Sequence, residues 1–104
     1  MKTLNMLVIA SAALLSLGAQ AATGEEIMTT AGCMACHKKD AKLVGPALKD
    51  IGAKYKGQDV VAKLSAKVRA GGAGVYGPIP MAPNPVSKIS DADLKTAVEW
   101  ILKL

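Results

Sequence analysis

The sequence predicts an all-α domain of about four short helices joined by one long Pro/Gly-rich loop, and three observations lead to that class. Apolar residues recur three and four positions apart wherever a helix start or stop signal also stands. No stretch alternates apolar and polar residues in the manner of a half-buried strand. The third is a shortage. Among 104 residues there is no Phe, and Tyr55, Tyr76 and Trp100 are the only aromatics. The polypeptide therefore lacks the large side chains that usually dominate a core, and chains this short often depend on a staple or cofactor.

The first 21 residues are set apart from the fold. Lys2, an apolar run from Leu4 to Leu17 and the small-residue triplet Ala19-Gln20-Ala21 read as a secretory signal, cleaved after Ala21. A membrane span needs about 20 apolar residues, and this run stops earlier, at Gly18. A lipoprotein leader needs a cysteine at the cleavage point, whereas Cys33 lies well beyond it. The expected product is residues 22–104, a single domain in the periplasm with no stable membrane insertion.

Within that domain, Thr23 with Glu26 three residues later forms a capping-box pattern, followed by Ile27, Met28 and Ala31 as a short apolar face and Gly32 as a stop. A second helix is predicted from near Pro46, carrying Leu48, Ile51 and Tyr55 and ending at Gly57. A third is entered at Gln58 or Asp59, carries Val60, Val61, Leu64 and Val68, and breaks at Gly71 and Gly72. From Gly71 to Pro85 there are four Gly and four Pro, which predicts an irregular loop. Unstructured loops beyond about 12 residues are usually functional or disordered, which makes the apolar Val75, Ile79 and Met81 inside this one informative. The last helix starts at Ser90, with Asp93 in capping position, and presents Leu94, Ala97, Val98, Ile101 and Leu102. No internal repeat is present.

Charge is modest. The full chain has 13 Lys and Arg against 8 Asp and Glu; loss of Lys2 with the leader leaves 12 against 8, a formal +4. That is a mildly basic surface, and no nucleic-acid partner is expected.

Cys33-Met34-Ala35-Cys36-His37 spells C-x-x-C-H. In this spacing two thiols add across the two vinyl groups of haem while the adjacent histidine reaches the iron. A disulfide between Cys33 and Cys36 would close only a tiny loop and so constrain the unfolded chain little. A thioredoxin-like dithiol needs a strand-helix-strand setting, and a zinc site needs a second pair of ligands. One covalently attached haem c per chain is therefore expected, and it also supplies the missing core.

A ligand opposite His37 must come from Met28, Met34 or Met81, since there is no second histidine. Methionines are commonly core filler. Met34 lies inside the attachment loop and Met28 on the helix leading into it, which leaves Met81. It stands in Gly77-Pro78-Ile79-Pro80-Met81-Ala82-Pro83-Asn84, where three prolines stiffen the backbone around it. The string Gly72-Ala73-Gly74-Val75-Tyr76-Gly77 matches the dinucleotide fingerprint G-x-G-x-x-G, but a helix precedes it and Pro78 follows, so it is read as loop.

The C-x-x-C-H motif, Val44-Gly45-Pro46, the Gly77–Asn84 loop and a final helix with Trp100 together resemble the small bacterial class I cytochromes c of the c-551/c-552 type, over essentially the whole of residues 22–104. The resemblance implies the class I cytochrome c fold, wrapped around one covalently attached haem, with His37 and Met81 as axial ligands. It further implies that the Pro46 carbonyl accepts the ring N–H of His37 and that Asn84 tunes the Met81 sulfur. Tyr76 and Lys67 stand where such proteins often have Trp and Arg on the haem propionates.

With both axial positions filled, the expected function is electron transport, not catalysis: outer-sphere transfer in a bacterial respiratory chain by a monomer. The expected donor is a quinol:cytochrome c reductase, and the acceptor a terminal oxidase or nitrite reductase, met through weak contacts. Lys38, Lys39, Lys42, Lys54, Lys56 and Lys63 are candidates for steering acidic partners. The alternative, a haem enzyme or gas-binding sensor, requires a displaceable methionine.

Overall fold

A computed structural model describes residues 21–104; the leader expected over residues 1–21 lies, Ala21 aside, outside them. The first helix, α1, spans Gly24–Thr30, and Thr23 caps it by accepting the Glu26 N–H at 3.2 Å. The reciprocal half of the expected capping box differs. The Glu26 carboxylate accepts from the Thr23 hydroxyl at 2.9 Å and not from the Thr23 backbone. Gly32 then takes φ of +81°, a left-handed conformation that costs other residues strain, and the chain enters a short 3₁₀ turn over Cys33–Ala35.

Helix α2 covers Leu48–Lys54, two residues later than the Pro46 start. The reason is where its free donors go. Leu48 N–H donates to the Lys38 carbonyl at 2.9 Å and Lys49 N–H to the Lys39 carbonyl at 3.0 Å, so the strand of chain after the cysteine motif caps this helix. Helix α3 runs Val61–Ala70 and ends at Gly71, whose φ is +67°.

The stretch expected to be irregular instead forms an antiparallel hairpin of two short strands, β1 over Gly72–Gly74 and β2 over Gly77–Met81. Gly72 lies opposite Met81 and Gly74 opposite Gly77. Prolines are compatible with this pairing because Pro78 and Pro80 are two apart, so both turn their missing donors to the side away from β1. The dinucleotide-like glycines are thus hairpin residues.

Helix α4, Asp91–Leu102, is capped by Ser90, which accepts the Asp93 N–H at 3.1 Å. Its face of Leu94, Ala97, Val98 and Ile101 is buried against Ile27 and Met28 of α1, the Ala31 that caps α1, and Leu48 of α2. Of the aromatics, Trp100 is half-buried and Tyr76 largely exposed. The fold class is thus all-α as expected, with the hairpin added. Among the described residues no helix is long and apolar enough to cross a membrane.

Candidate functional site

The cysteine motif is held as one compact turn. Cys36 N–H and His37 N–H both donate to the Cys33 carbonyl, at 3.2 and 3.1 Å. Both cysteines are free thiols, Cys33 half-buried and Cys36 exposed. Burial raises the pKa of the Cys33 thiol above its usual 9.0, against an opposing pull from the Lys88 charge.

His37 is buried, and its Nδ1 donates to the Pro46 carbonyl at 2.8 Å. A carbonyl can only accept, so the proton sits on Nδ1 and Nε2 keeps a free lone pair. The ring also lies flat against Gly45. A methyl group there would stand 2.5 Å from Cε1 and 3.0 Å from Nε2. Gly45 N–H donates in turn to the Cys36 carbonyl at 2.7 Å, which fixes the segment across the histidine.

Cys33, His37 and Met81 all line one cleft of about 810 Å³, counting its mouth. Its walls are almost wholly apolar, including Leu48 and Ile51 of α2, Leu64 and Val68 of α3, and Val98 of α4. Lys67, Tyr55 and Tyr76 are the polar-tipped residues on it. Burial raises the pKa of the Tyr76 phenol above its usual 10.0, with smaller contributions from Tyr55 and Asp50. Lys54 Nζ lies 5.9 Å from the Tyr55 ring and 5.7 Å from that of Tyr76, within cation–π range of both. Of the other methionines, Met28 also lines the cleft but belongs to the buried core, while Met34 packs against that core from the attachment turn.

Pro46 and Asn84 act from outside the lining. Asn84 is 4% exposed, and its Nδ2 donates to the carbonyls of Val68 and Ala82, both at 3.1 Å. These bonds take up both amide hydrogens. The side chain thereby ties the Met81 segment to α3. A residue that sequence reasoning missed joins it. Arg69 donates through one guanidinium nitrogen to the carbonyls of Asn84 and Ile89, at 3.0 and 2.6 Å, and through the other to Asp91 at 2.6 Å. An arginine at the end of a helix carries no signal in sequence that separates it from a solvated one.

The residues fit a haem. The cleft offers apolar walls, a histidine nitrogen with a free lone pair, a thioether, and two unpaired thiols on one turn at its edge. Among the described residues, no group of three or more His, Cys, Asp or Glu side chains is placed to hold a bare metal ion.

Comparison with known proteins agrees. A family model described as Cytochrome c matches residues 21–104. The chain is 54% identical over 81 residues to cytochrome c-551 of Azotobacter vinelandii, covering 77% of this chain and 95% of that protein. It is 45% identical over 105 residues to cytochrome c-552 of Nitrosomonas europaea, covering 100% of this chain and 99% of that protein. The crystal structure of wild-type Nitrosomonas europaea cytochrome c552 superposes with a TM-score of 0.69 at 45% identity, covering 76% of this chain and 96% of that one. Cys33 and Cys36 supply the motif through which such proteins bind one haem c covalently. The chain therefore belongs to the cytochrome c family, as a monohaem c-type cytochrome that carries electrons.

Proposed function

We propose that this cytochrome shuttles single electrons between larger redox proteins of a bacterial respiratory chain, with His37 and Met81 as the axial ligands of its haem iron. The observation that carries the reading is the pairing of a histidine whose Nδ1 is committed to Pro46 with a methionine on the same apolar cleft. Haem bound there supplies a one-electron Fe(III)/Fe(II) couple, which a histidine and methionine ligand pair sets at a raised potential. The Pro46 carbonyl fixes the His37 tautomer and increases the basicity of Nε2. The apolar walls exclude water from the cleft, and Lys67 and Tyr76, which both line it, receive the anionic propionates.

The mouth suits brief encounters. Val75 and Tyr76 at the hairpin tip line the cleft and are exposed, Ile79 of β2 is exposed as well, and the Lys54 Nζ of α2 lies 5.7 Å from the Tyr76 ring. A quinol:cytochrome c reductase as donor and a terminal oxidase or nitrite reductase as acceptor fit this chemistry. Cleavage after Ala21 and work as a monomer in the periplasm complete the reading, supported by the leader pattern in residues 1–21.

The test is a visible and near-infrared spectrum of the ferric protein alongside Met81→Ala. The wild-type protein is expected to show a sulfur-to-iron charge-transfer band and slow cyanide binding. The variant is expected to lose the band and bind cyanide at once. A wild-type protein without the band would overturn the Met81 assignment.

A further inference from the structure

Met81 sits at the end of β2, and the nine residues after it, up to the start of α4, contain no regular element. On its N-terminal side the chain is held by pairing with Gly72. On its C-terminal side the holding groups converge on α3. Asn84 N–H donates to the Arg69 carbonyl at 3.2 Å, and Asn84 Nδ2 reaches Val68. The Arg69 guanidinium, only 22% exposed, spans from the Asn84 carbonyl to the Ile89 carbonyl and on to Asp91. One side chain therefore fastens both ends of the segment that follows Met81.

We infer that Arg69 is a positioning residue that sets how often Met81 leaves the haem iron. The inference rests on the reading of Met81 as a ligand. A guanidinium can satisfy several acceptors at once in fixed geometry, which an ammonium cannot. Without it, the Asn84 and Ile89 carbonyls lose their charged donor inside a partly buried site, and the closed arrangement of the segment is weakened relative to an open one in which water serves them. The Asp91 carboxylate contributes less, because that side chain is 86% exposed and exposed ion pairs are worth little. Arg69 is not among the side chains that line the cleft with Met81, so it acts on the dwell time of the ligand and not on the bond.

The experiment is stopped-flow cyanide binding to the ferric holoprotein at saturating cyanide, where the limiting rate reports loss of the methionine, read with the near-infrared sulfur band. Arg69→Met is expected to raise the limiting rate about tenfold while the band persists at equilibrium. Asp91→Asn is expected to change it less than about twofold. Should Arg69→Met fail to mature with haem, Arg69→Lys takes its place, with an increase of about threefold expected. An unchanged rate in an Arg69 variant whose unfolding midpoint has fallen overturns the inference, since Arg69 would then be structural only. Equal effects of Arg69→Met and Asp91→Asn overturn the assignment to the carbonyls. Absence of the band in the wild-type protein overturns the ligand reading itself, and with it this inference.

Discussion

Gly45 illustrates how much of the site is decided at single residues. The His37 ring occupies the place its side chain would take, with Cε1 only 2.5 Å from a Cβ built there. Backbone bonds on either side, Gly45 N–H to Cys36 and Pro46 to His37 Nδ1, leave the segment little freedom to retreat. Gly45→Ala is therefore expected to destabilise the holoprotein by about 1–3 kcal/mol through overpacking, and to loosen His37. Denaturant unfolding and the ferric spectrum measure both effects; a variant with wild-type midpoint and spectrum would refute this account. Cys33, Cys36 and His37 were legible because their chemistry depends on spacing along the chain, which sequence displays directly. Gly45, Arg69 and the backbone partners of Asn84 were not, because each acts on residues that only folding brings near.

At the level of elements, the helices followed from periodicity and caps, and their ends followed less well. Thr23 and Ser90 cap α1 and α4 as their side chains suggest. The start of α2 is set by the carbonyls of Lys38 and Lys39, a tertiary cap that no local signal announces. The hairpin was hidden for a different reason: glycines and prolines are strong turn signals and weak strand formers, and only the pairing of Gly72 with Met81 makes strands of them. The crossing of α1 and α4 depends on Gly24, where an added Cβ would meet the Trp100 side chain, 2.5 Å from Cγ. Gly24→Ala is expected to push the helices apart and cost about 1–3 kcal/mol, against a gain of up to about 1 kcal/mol in helix propensity. A rise in thermal midpoint would show that α1 moves aside freely.

For the whole molecule, the aromatic-poor sequence and the apolar cleft describe one fact. Side chains from α1 through α4 line an apolar cleft, about 810 Å³ with its open mouth counted, that the polypeptide itself does not fill. A chain unable to attach haem, Cys33→Ala with Cys36→Ala, is expected to lose most of its helical circular dichroism at 25 °C, because the remaining core is small for its conformational entropy. Cooperative thermal unfolding of that haem-free variant would contradict this. Charge operates at the same scale. Lys38, Lys42, Lys54, Lys56 and Lys63 are exposed, while Lys39 is half-buried with its Nζ 6.0 Å from the Trp100 ring. Electron-transfer rates with an acidic partner are expected to fall about tenfold as salt is raised from low to physiological levels and beyond. Rates independent of ionic strength would exclude lysine steering.

What the sequence determined by itself was the chemistry and the class of fold. C-x-x-C-H, a proline-flanked methionine, helix caps and 3.6-residue periodicity are all local patterns whose meaning does not depend on distant neighbours. What only the tertiary structure decided was how that chemistry is held: the Gly45 approach, the hairpin presenting Met81 and the Arg69 fastening behind it. These are contacts between residues up to 22 positions apart. Their energies exist only after the helices have packed, so no reading of adjacent residues could supply them.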